Sequence, residues 1–185
     1  MQRRFTGPVA VRTHHSLFTY RHDDRLAEMV RKGKYDGQPE LLVSLARIFA
    51  EELVAGDVLQ GVDALVPVPM YWWKQLRRGY NQTHYITREL SRATGIPMMK
   101  ALRALRGHSR LAGASHEARA RAVDGIFAPV RAGVLAGKRV ALVDDVLTSG
   151  STLTAAATAA GEGGAVSVVT LTLGATPPAP SLDGR

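Results

Sequence analysis

The most regular hydrophobic pattern in this chain lies in residues 39–55, where apolar side chains recur every three or four positions. That period places them on one face of a helix, and Pro39 suits the first turn of such a helix. We therefore predict an amphipathic helix that covers a sheet. Its apolar stripe consists of Leu42, Leu45, Phe49 and Leu53.

Shorter patterns predict the rest of an alternating order of strands and helices. Asp24 is a suitable N-cap for a helix that ends near Gly33, and Asn81 for a helix that ends before Gly95. Residues 140–143 form an unbroken apolar run, which is typical of a parallel strand covered on both faces. Further strands are predicted at residues 17–20, 62–70, 98–102 and 166–173, and a helix at residues 151–160. This order predicts an α/β domain with a central, mainly parallel sheet flanked by helices.

Composition restricts the class of protein further. A chain of 185 residues with 45% hydrophobic and 22% charged residues suits one globular domain. No apolar run approaches the length of about eighteen residues needed to cross a bilayer. The basic N-terminus lacks the apolar segment of a signal peptide, so we expect a cytoplasmic protein without membrane insertion. The absence of cysteine excludes disulfides and a thiolate nucleophile.

The charge of the chain indicates an anionic partner. Its net charge is +8, and 19 of the 24 basic residues are arginine, which favours bidentate contacts with phosphate. Charge alone does not distinguish a small phosphorylated ligand from single-stranded DNA, because it reports only the sign of the field.

A phosphate-binding turn is predicted where the apolar run at residues 140–143 leads into Asp144, Asp145 and a hydroxyl-rich segment around Gly150. The helix predicted behind this turn offers free backbone N–H groups and the positive end of its dipole to an anion. The lysine and spaced glycines of a nucleotide-binding P-loop are absent. Two carboxylates beside a phosphate site suit a ligand that also carries sugar hydroxyls. The alternative interpretation is an acidic turn that only packs.

Residues 143–152 resemble the phosphoribosyl pyrophosphate (PRPP) signature of the type I phosphoribosyltransferases. The resemblance implies that Asp144 and Asp145 are catalytic residues that hold the ribose hydroxyls and help to hold Mg²⁺ through water. It also implies that the turn binds the 5′-phosphate. The implied PRPP-binding residues are Val146, Leu147, Thr148, Ser149, Gly150, Ser151 and Thr152.

Two further motifs make the resemblance more specific. Residues 65–70 (LVPVPM) and 76–82 (LRRGYNQ) are similar to a motif pair of the competence protein F (ComF) family. Residues 17–37 resemble the entry strand and helix of that family, with its K-Y-x-G turn. The resemblance covers residues 17–175 and implies a type I phosphoribosyltransferase-like domain with a flexible hood over the site.

Residues 1–16 and 176–185 fall outside this predicted domain. Most ComF members carry a four-cysteine zinc module at the N-terminus, where this chain has only a short stub. His14 and His15 are adjacent and lack the spacing of zinc ligands on a helix, so we interpret them as solvated polar residues. Prolines and a glycine near the C-terminus predict a disordered tail.

The resemblance assigns pyrophosphate binding to a loop at residues 67–79, in which Arg78 is the first candidate for a catalytic contact. Trp72 and Trp73 could stack on a base, but packing in the core is the interpretation that we prefer. The other residues of the implied pyrophosphate loop are Pro69, Lys74, Arg77 and Gly79.

A long basic connection at residues 103–126 is predicted to form the hood, which closes over the site and excludes water. The hood positions that match the family are Arg119, Gly125 and Phe127. The remaining family positions are occupied by Leu111, Ala114 and Ala122. The family's amide side chains are missing at these positions. Their loss weakens the prediction of catalysis more than the prediction of ligand binding.

We therefore expect a ComF-type phosphoribosyltransferase that uses Mg²⁺, transfers ribosyl 5-phosphate from PRPP to an unknown acceptor and releases pyrophosphate, with a role in DNA uptake. The alternative is a non-catalytic scaffold that binds nucleotides or single-stranded DNA in natural transformation, or only offers a contact surface. Beyond PRPP and the acceptor, the candidate partners are single-stranded DNA, competence proteins and a second copy in a homodimer.

Overall fold

The computed structural model describes residues 11–21, 24–105 and 125–177. Most of the predicted hood, at residues 106–124, and most of the predicted tail lie outside these residues. Along the described chain, the elements are β1 (Val11–Thr19), α1 (Arg25–Tyr35), α2 (Pro39–Ala55), β2 (Ala64–Pro67), α3 (Trp72–Arg78), α4 (Gln82–Thr94), β3 (Leu102–Ala104), β4 (Phe127–Pro129), β5 (Arg139–Leu147), α5 (Ser151–Glu162) and β6 (Ser167–Ala175).

A parallel sheet forms the centre of the described structure. Its strand order is β1-β6-β5-β2, and each neighbouring pair runs parallel. The two inner strands, β5 and β6, stay in register from the pair Arg139 and Ser167 to the pair Leu147 and Ala175. Strands β3 and β4 form a separate antiparallel ribbon. The prediction of an α/β fold with a mainly parallel sheet is confirmed.

Side chains of β5 alternate between two apolar layers because successive residues of a strand point to opposite faces. Leu142 belongs to the layer that contains Leu153 of α5, whereas Val143 belongs to the layer formed with α2 and α4. All three side chains are almost fully buried. Burial of one such side chain stabilises the fold by about 1.5–3 kcal/mol, and the two layers explain the unbroken apolar run of this strand.

The helix starts predicted from capping residues are confirmed. The Asp24 carboxylate accepts a hydrogen bond from the backbone N–H of Leu26 at 3.0 Å. Asn81 caps α4 in the same way, through the N–H of Thr83 at 3.1 Å. Helix α2 buries all four residues of its predicted apolar stripe.

The first helix ends at Tyr35, two residues after the Gly33 near which its end was predicted. Gly33 is needed for close packing rather than for termination. A Cβ atom at this position would lie 2.5 Å from Cγ of Leu42 on α2. The residue therefore allows α1 and α2 to approach each other closely.

The N-terminal strand is longer than predicted, since β1 begins at Val11 and not at residue 17. His14 therefore lies in the sheet, and the interpretation of this residue as solvated is wrong. Its side chain is buried, and Nδ1 lies 2.9 Å from Oγ1 of Thr170 on β6. The polar partner on the neighbouring strand is what permits a histidine in this position.

Strand predictions around the second motif need correction as well. The predicted strand at residues 62–70 is shortened to Ala64–Pro67, and its end at the first of two prolines is as expected, because proline lacks the N–H that a ladder needs. The strand predicted at residues 98–102 is replaced by a single parallel bridge between Met98 and Leu65, after which β3 enters the antiparallel ribbon. Among the described helices, none is long and apolar enough to cross a membrane.

Candidate functional site

The two predicted carboxylates lie inside β5, two and three residues before its last residue, and not in a turn after it as we expected. Alternation along the strand directs them to opposite faces of the sheet. Asp145 shares the face of Ala141 and Val143, which pack with α2 and α4, whereas Asp144 shares the face of Leu142, which packs with α5. The two residues therefore have different surroundings, although the sequence treats them alike.

Asp145 is buried and both of its carboxylate oxygens have partners. Nζ of Lys34, near the end of α1, lies 2.7 Å from Oδ1. Nε2 of Gln82, the first residue of α4, donates to Oδ2 at 2.6 Å. Burial by itself would lower the pKa of Lys34, but the charge of Asp145 and the hydrogen bond to it outweigh that effect and raise the pKa. Lys34 therefore stays positively charged beside the site.

Lys34 and Gln82 are site residues that the sequence analysis missed. Both belong to segments that it quoted, the K-Y-x-G turn and the LRRGYNQ motif, but neither was given a role. Oε1 of Gln82 is a buried side-chain oxygen without a hydrogen-bond partner among the described residues. The signal that could have identified this residue is its place at the start of α4, next to the capping Asn81.

Asp144 has the more unusual electrostatic environment. Burial and the nearby Asp145 carboxylate raise its pKa to about 7, although the N–H of Asp145 and the charge of Lys34 act in the opposite direction. That N–H donates to Oδ1 of Asp144 at 2.8 Å. The carboxyl group therefore changes its charge near neutral pH, which is unusual for an aspartate.

The predicted phosphate turn connects β5 to α5. Gly150 has a φ of 85°, a left-handed conformation that glycine adopts without a Cβ clash, and its C=O accepts a hydrogen bond from the N–H of Thr154 at 2.9 Å. The hydroxyl groups of Ser149 and Ser151 lie 2.8 Å apart. The N–H of Thr176 donates to the C=O of Leu147 at 2.9 Å and ties the turn to the end of β6. The start of the helix leaves first-turn N–H groups available to an anion.

These elements surround a cavity of about 500 Å³, which we call the first cavity. It has the volume of a typical small-molecule site. Seven of the predicted site residues line it: Pro69, Arg78, Asp144, Asp145, Val146, Thr148 and Thr152. Lys34 and Gln82 also line it. Four other residues of the turn do not form part of its wall: Leu147, Ser149, Gly150 and Ser151.

The predicted pyrophosphate loop contains a short helix, α3, which the sequence analysis did not foresee. The helix ends at Gly79, whose φ is 79°. The guanidinium carbon of Arg78 lies 4.6 Å from the centroid of the Tyr35 ring, so α1 orients the candidate cation. Trp72 is 58% exposed, and the expectation that it packs in the core is wrong. The side chains of Trp73, Lys74 and Arg77 lie outside the described part of the chain.

The described ends of the predicted hood meet at the first cavity. Strands β3 and β4 bring Ala104 and Phe127 to its wall, together with Ile126. Gly125 directly precedes this wall and has a φ of 72°. The hood positions that lie outside the described residues are Leu111, Ala114, Arg119 and Ala122.

The parallel sheet, the acidic end of β5 and the glycine turn before α5 constitute the α/β fold of the type I phosphoribosyltransferases. A solved structure of the allosteric regulatory enzyme of purine biosynthesis shares this fold, with a TM-score of 0.52 and 23% identity over 78% of this chain and 30% of that one. Glutamine PRPP amidotransferase from B. subtilis, solved with ADP and GMP, gives a TM-score of 0.47 and 27% identity over 70% of this chain and 25% of the other.

Sequence comparison finds a curated relative of this chain. The chain is 30% identical to competence protein F of Haemophilus influenzae over 133 residues, which cover 69% of this chain and 58% of the relative. This similarity agrees with the resemblance of the motifs at residues 65–70 and 76–82 to the competence protein F (ComF) family. The chain spans somewhat more than half the length of that relative. No protein-family model matches the chain.

Proposed function

We propose that this protein binds PRPP in the first cavity and transfers its ribosyl 5-phosphate group to an acceptor. The observation that carries the proposal is the convergence of Asp144, the turn before α5 and Arg78 on one cavity of about 500 Å³. An acidic group, an anion-binding helix start and a separate cation match the three parts of PRPP: ribose hydroxyls, 5′-phosphate and pyrophosphate.

In the proposed reaction, the bond between the anomeric carbon and the pyrophosphate oxygen breaks, and a lone pair of the acceptor forms the new bond to that carbon. The electron pair of the broken bond leaves with pyrophosphate. No protein nucleophile is needed, so the contribution of the chain is positioning and charge stabilisation. Thr148, Thr152 and the first turn of α5 hold the 5′-phosphate. Arg78 stabilises the departing pyrophosphate.

The residues of the first cavity fit a magnesium ion whose coordinating oxygens come mainly from PRPP and water. Among the described residues, no group of three or more histidine, cysteine or acidic side chains could hold a metal ion by itself. Mg²⁺ is commonly held by one or two carboxylates together with substrate oxygens and water. Asp144 would supply the protein carboxylate, because both oxygens of Asp145 already have partners. The ion would supply positive charge to the pyrophosphate.

The test is calorimetric titration of PRPP, with and without Mg²⁺, into the protein and its Asp144→Asn variant. We expect magnesium-dependent binding that Asp144→Asn weakens about tenfold or more, since a charge-assisted contact contributes about 1.5–3 kcal/mol. Glu51→Gln, which neutralises an exposed carboxylate on α2, is the matched control and should bind as the wild type does. Equal PRPP affinity in the wild type and Asp144→Asn would contradict the proposed site.

A second candidate function is binding of single-stranded DNA, with or without catalysis. The net charge of +8 and the name of the competence protein F relative favour it. Affinity for an oligonucleotide should then fall steeply with salt, because phosphate contacts release counterions. Asp144→Asn should retain or increase that affinity, since it removes a negative charge. A variant that loses both ligands would not allow the two functions to be separated, so the unfolding temperature of each variant should be measured first.

A further inference from the structure

A second cleft, of about 450 Å³, is lined in part by Gly79, Tyr80 and Asn81, which link α3 to α4. It shares only Pro69 and Asn81 with the first cavity among the residues that line both. Three of its lining residues are potential cations, His84 and Arg88 of α4 and Lys100 before β3. None of the described residues that line it is acidic. The cleft therefore has a positive field that its own wall does not neutralise.

The basic groups converge from two separately anchored elements. His84 and Arg88 are four residues apart and share one face of α4. Lys100 follows the parallel bridge at Met98, and the N–H of Met99 donates to the C=O of Leu65 at 2.8 Å. Burial lowers the pKa of His84, and the charges of Lys100 and Arg88 lower it further. All three basic residues line the same cleft, so they can contact one bound group.

The acidic residue Glu89 on α4 is paired with arginines that do not line the second cleft. The carboxylate of Glu89, the neighbour of Arg88 on α4, lies 2.7 Å from Nε of Arg47 on α2 and 3.6 Å from Arg92. Glu89 is buried against α2, so its carboxylate does not neutralise the positive charge of the second cleft. Arg88 is oriented instead by Tyr85, with its guanidinium carbon 5.3 Å from the ring centroid.

The rest of the wall combines the polar Gln75 and Asn81 with apolar and aromatic side chains, which are Pro67, Pro69, Tyr80, Tyr85 and Leu102. A phosphate ion alone would occupy a small part of this volume. A ligand with a phosphate group at one end and a flat, partly apolar body at the other matches both halves of the wall.

We propose that the second cleft binds a phosphate monoester with such a body, in the chemical class of the nucleoside monophosphates. Arg88 and Lys100 bind its phosphate, and the proline and tyrosine side chains contact its body. The basic residues of this assignment are separate from those proposed to bind PRPP, because none of the three lines the first cavity. Pro69 and Gly79 of the predicted pyrophosphate loop do line the second cleft.

The experiment is calorimetric titration of AMP into the wild type, an Arg88→Gln/Lys100→Gln variant, and an Arg92→Gln/Arg131→Gln control. The control also removes two positive charges, but at exposed positions outside the cleft. We expect the cleft variant to lose about tenfold or more in AMP affinity, and the control to change by less than about threefold. Adenosine, which lacks the phosphate, should bind much more weakly than AMP.

The two sites are distinguished by titrating PRPP with Mg²⁺ into the same proteins. The cleft variant should bind PRPP as the wild type does, and Asp144→Asn should retain AMP binding. Three results would overturn the proposal: no binding of AMP to the wild type, equal AMP affinity in the wild type and the cleft variant, or equal affinity for adenosine and AMP. Binding of a short oligothymidylate to the cleft without binding of AMP would overturn the assignment to a free nucleotide.

Discussion

Nζ of Lys34 lies 2.7 Å from Oδ1 of Asp145, and this ion pair joins α1 to the strand that carries the predicted PRPP signature. Both side chains are largely buried and line the first cavity. A nucleotide-binding P-loop carries its lysine within the loop, whereas this chain brings one from a distant helix. The pair therefore links the stability of the fold to the charge of the site.

Replacement of Lys34 by methionine should destabilise the protein strongly. The variant leaves the Asp145 carboxylate buried with Gln82 as its remaining side-chain partner, and loss of one member of a buried pair costs about 3–5 kcal/mol. Urea denaturation measures this loss in the free energy of unfolding. The matched control is Lys32→Met, because the pair between Lys32 and Glu28 on the same helix is exposed and solvent screens it, so this change should leave the free energy of unfolding nearly unaltered.

Addition of Asp145→Asn to Lys34→Met should restore much of the lost stability. Asparagine removes the unpaired charge and can still accept a hydrogen bond from Gln82. We expect the two substitutions to be non-additive by about 1–3 kcal/mol, which a double-mutant cycle in urea would measure. Strict additivity would show that the ion pair does not couple the two residues.

Asp144→Asn should stabilise the unliganded protein more at pH 8 than at pH 5. The folded-state pKa of about 7 exceeds the unfolded value, so the folded state binds the proton more tightly. Stability that is present at low pH is consequently lost as the pH rises toward and through 7. Asparagine cannot ionise, and we expect its advantage to grow by roughly 1–3 kcal/mol between the two pH values, because each unit of pKa shift corresponds to about 1.4 kcal/mol and partial exposure reduces the effect.

The measurement is urea denaturation of both proteins at each pH. Glu51→Gln, at an exposed position of α2, is the control for a general effect of net charge. An advantage of Asp144→Asn that is the same at pH 5 and pH 8 would contradict the raised pKa.

Gly33→Ala should destabilise the protein although alanine is the better helix former. The added Cβ would lie 2.5 Å from Cγ of Leu42, and overpacking of this kind costs about 1–3 kcal/mol. Thermal unfolding would show a lower midpoint. In a Leu42→Ala background the clash is absent, so Gly33→Ala should there be neutral or stabilising; a further loss of stability would argue against the steric explanation.

Arg78→Gln should weaken binding of magnesium–PRPP about tenfold or more and change stability little. Arg78 contacts the exposed Tyr35 ring, and an exposed cation–π contact contributes only about 0.5–1 kcal/mol to the fold. A charge-assisted contact with pyrophosphate is stronger. Calorimetry of PRPP provides the measurement, and Arg92→Gln on α4 is the matched control. Unchanged PRPP affinity would remove Arg78 from the proposed site.

The helices and strands that the sequence predicted correctly are those whose signals are local, whereas α3 and β4 were not predicted. The stripe of α2, the caps at Asp24 and Asn81 and the apolar run of β5 each depend on residues close together in the chain. Predictions failed where distant partners decide the outcome. Residues 98–102 have an apolar pattern, but only Met98 pairs with the parallel sheet, whereas Leu102 pairs with β4 in the antiparallel ribbon. His14 is polar, but Thr170 makes its burial possible.

The sequence by itself determined the α/β class, the family resemblance and the place of the acidic pair before a glycine turn, because each of these is written in short, contiguous motifs. The tertiary structure alone decided that Asp144 and Asp145 face opposite sides of β5 and that Lys34 and Gln82 hold Asp145. Strand alternation gives adjacent residues different neighbours, and ion pairing acts over a few ångströms of space whatever the separation along the chain.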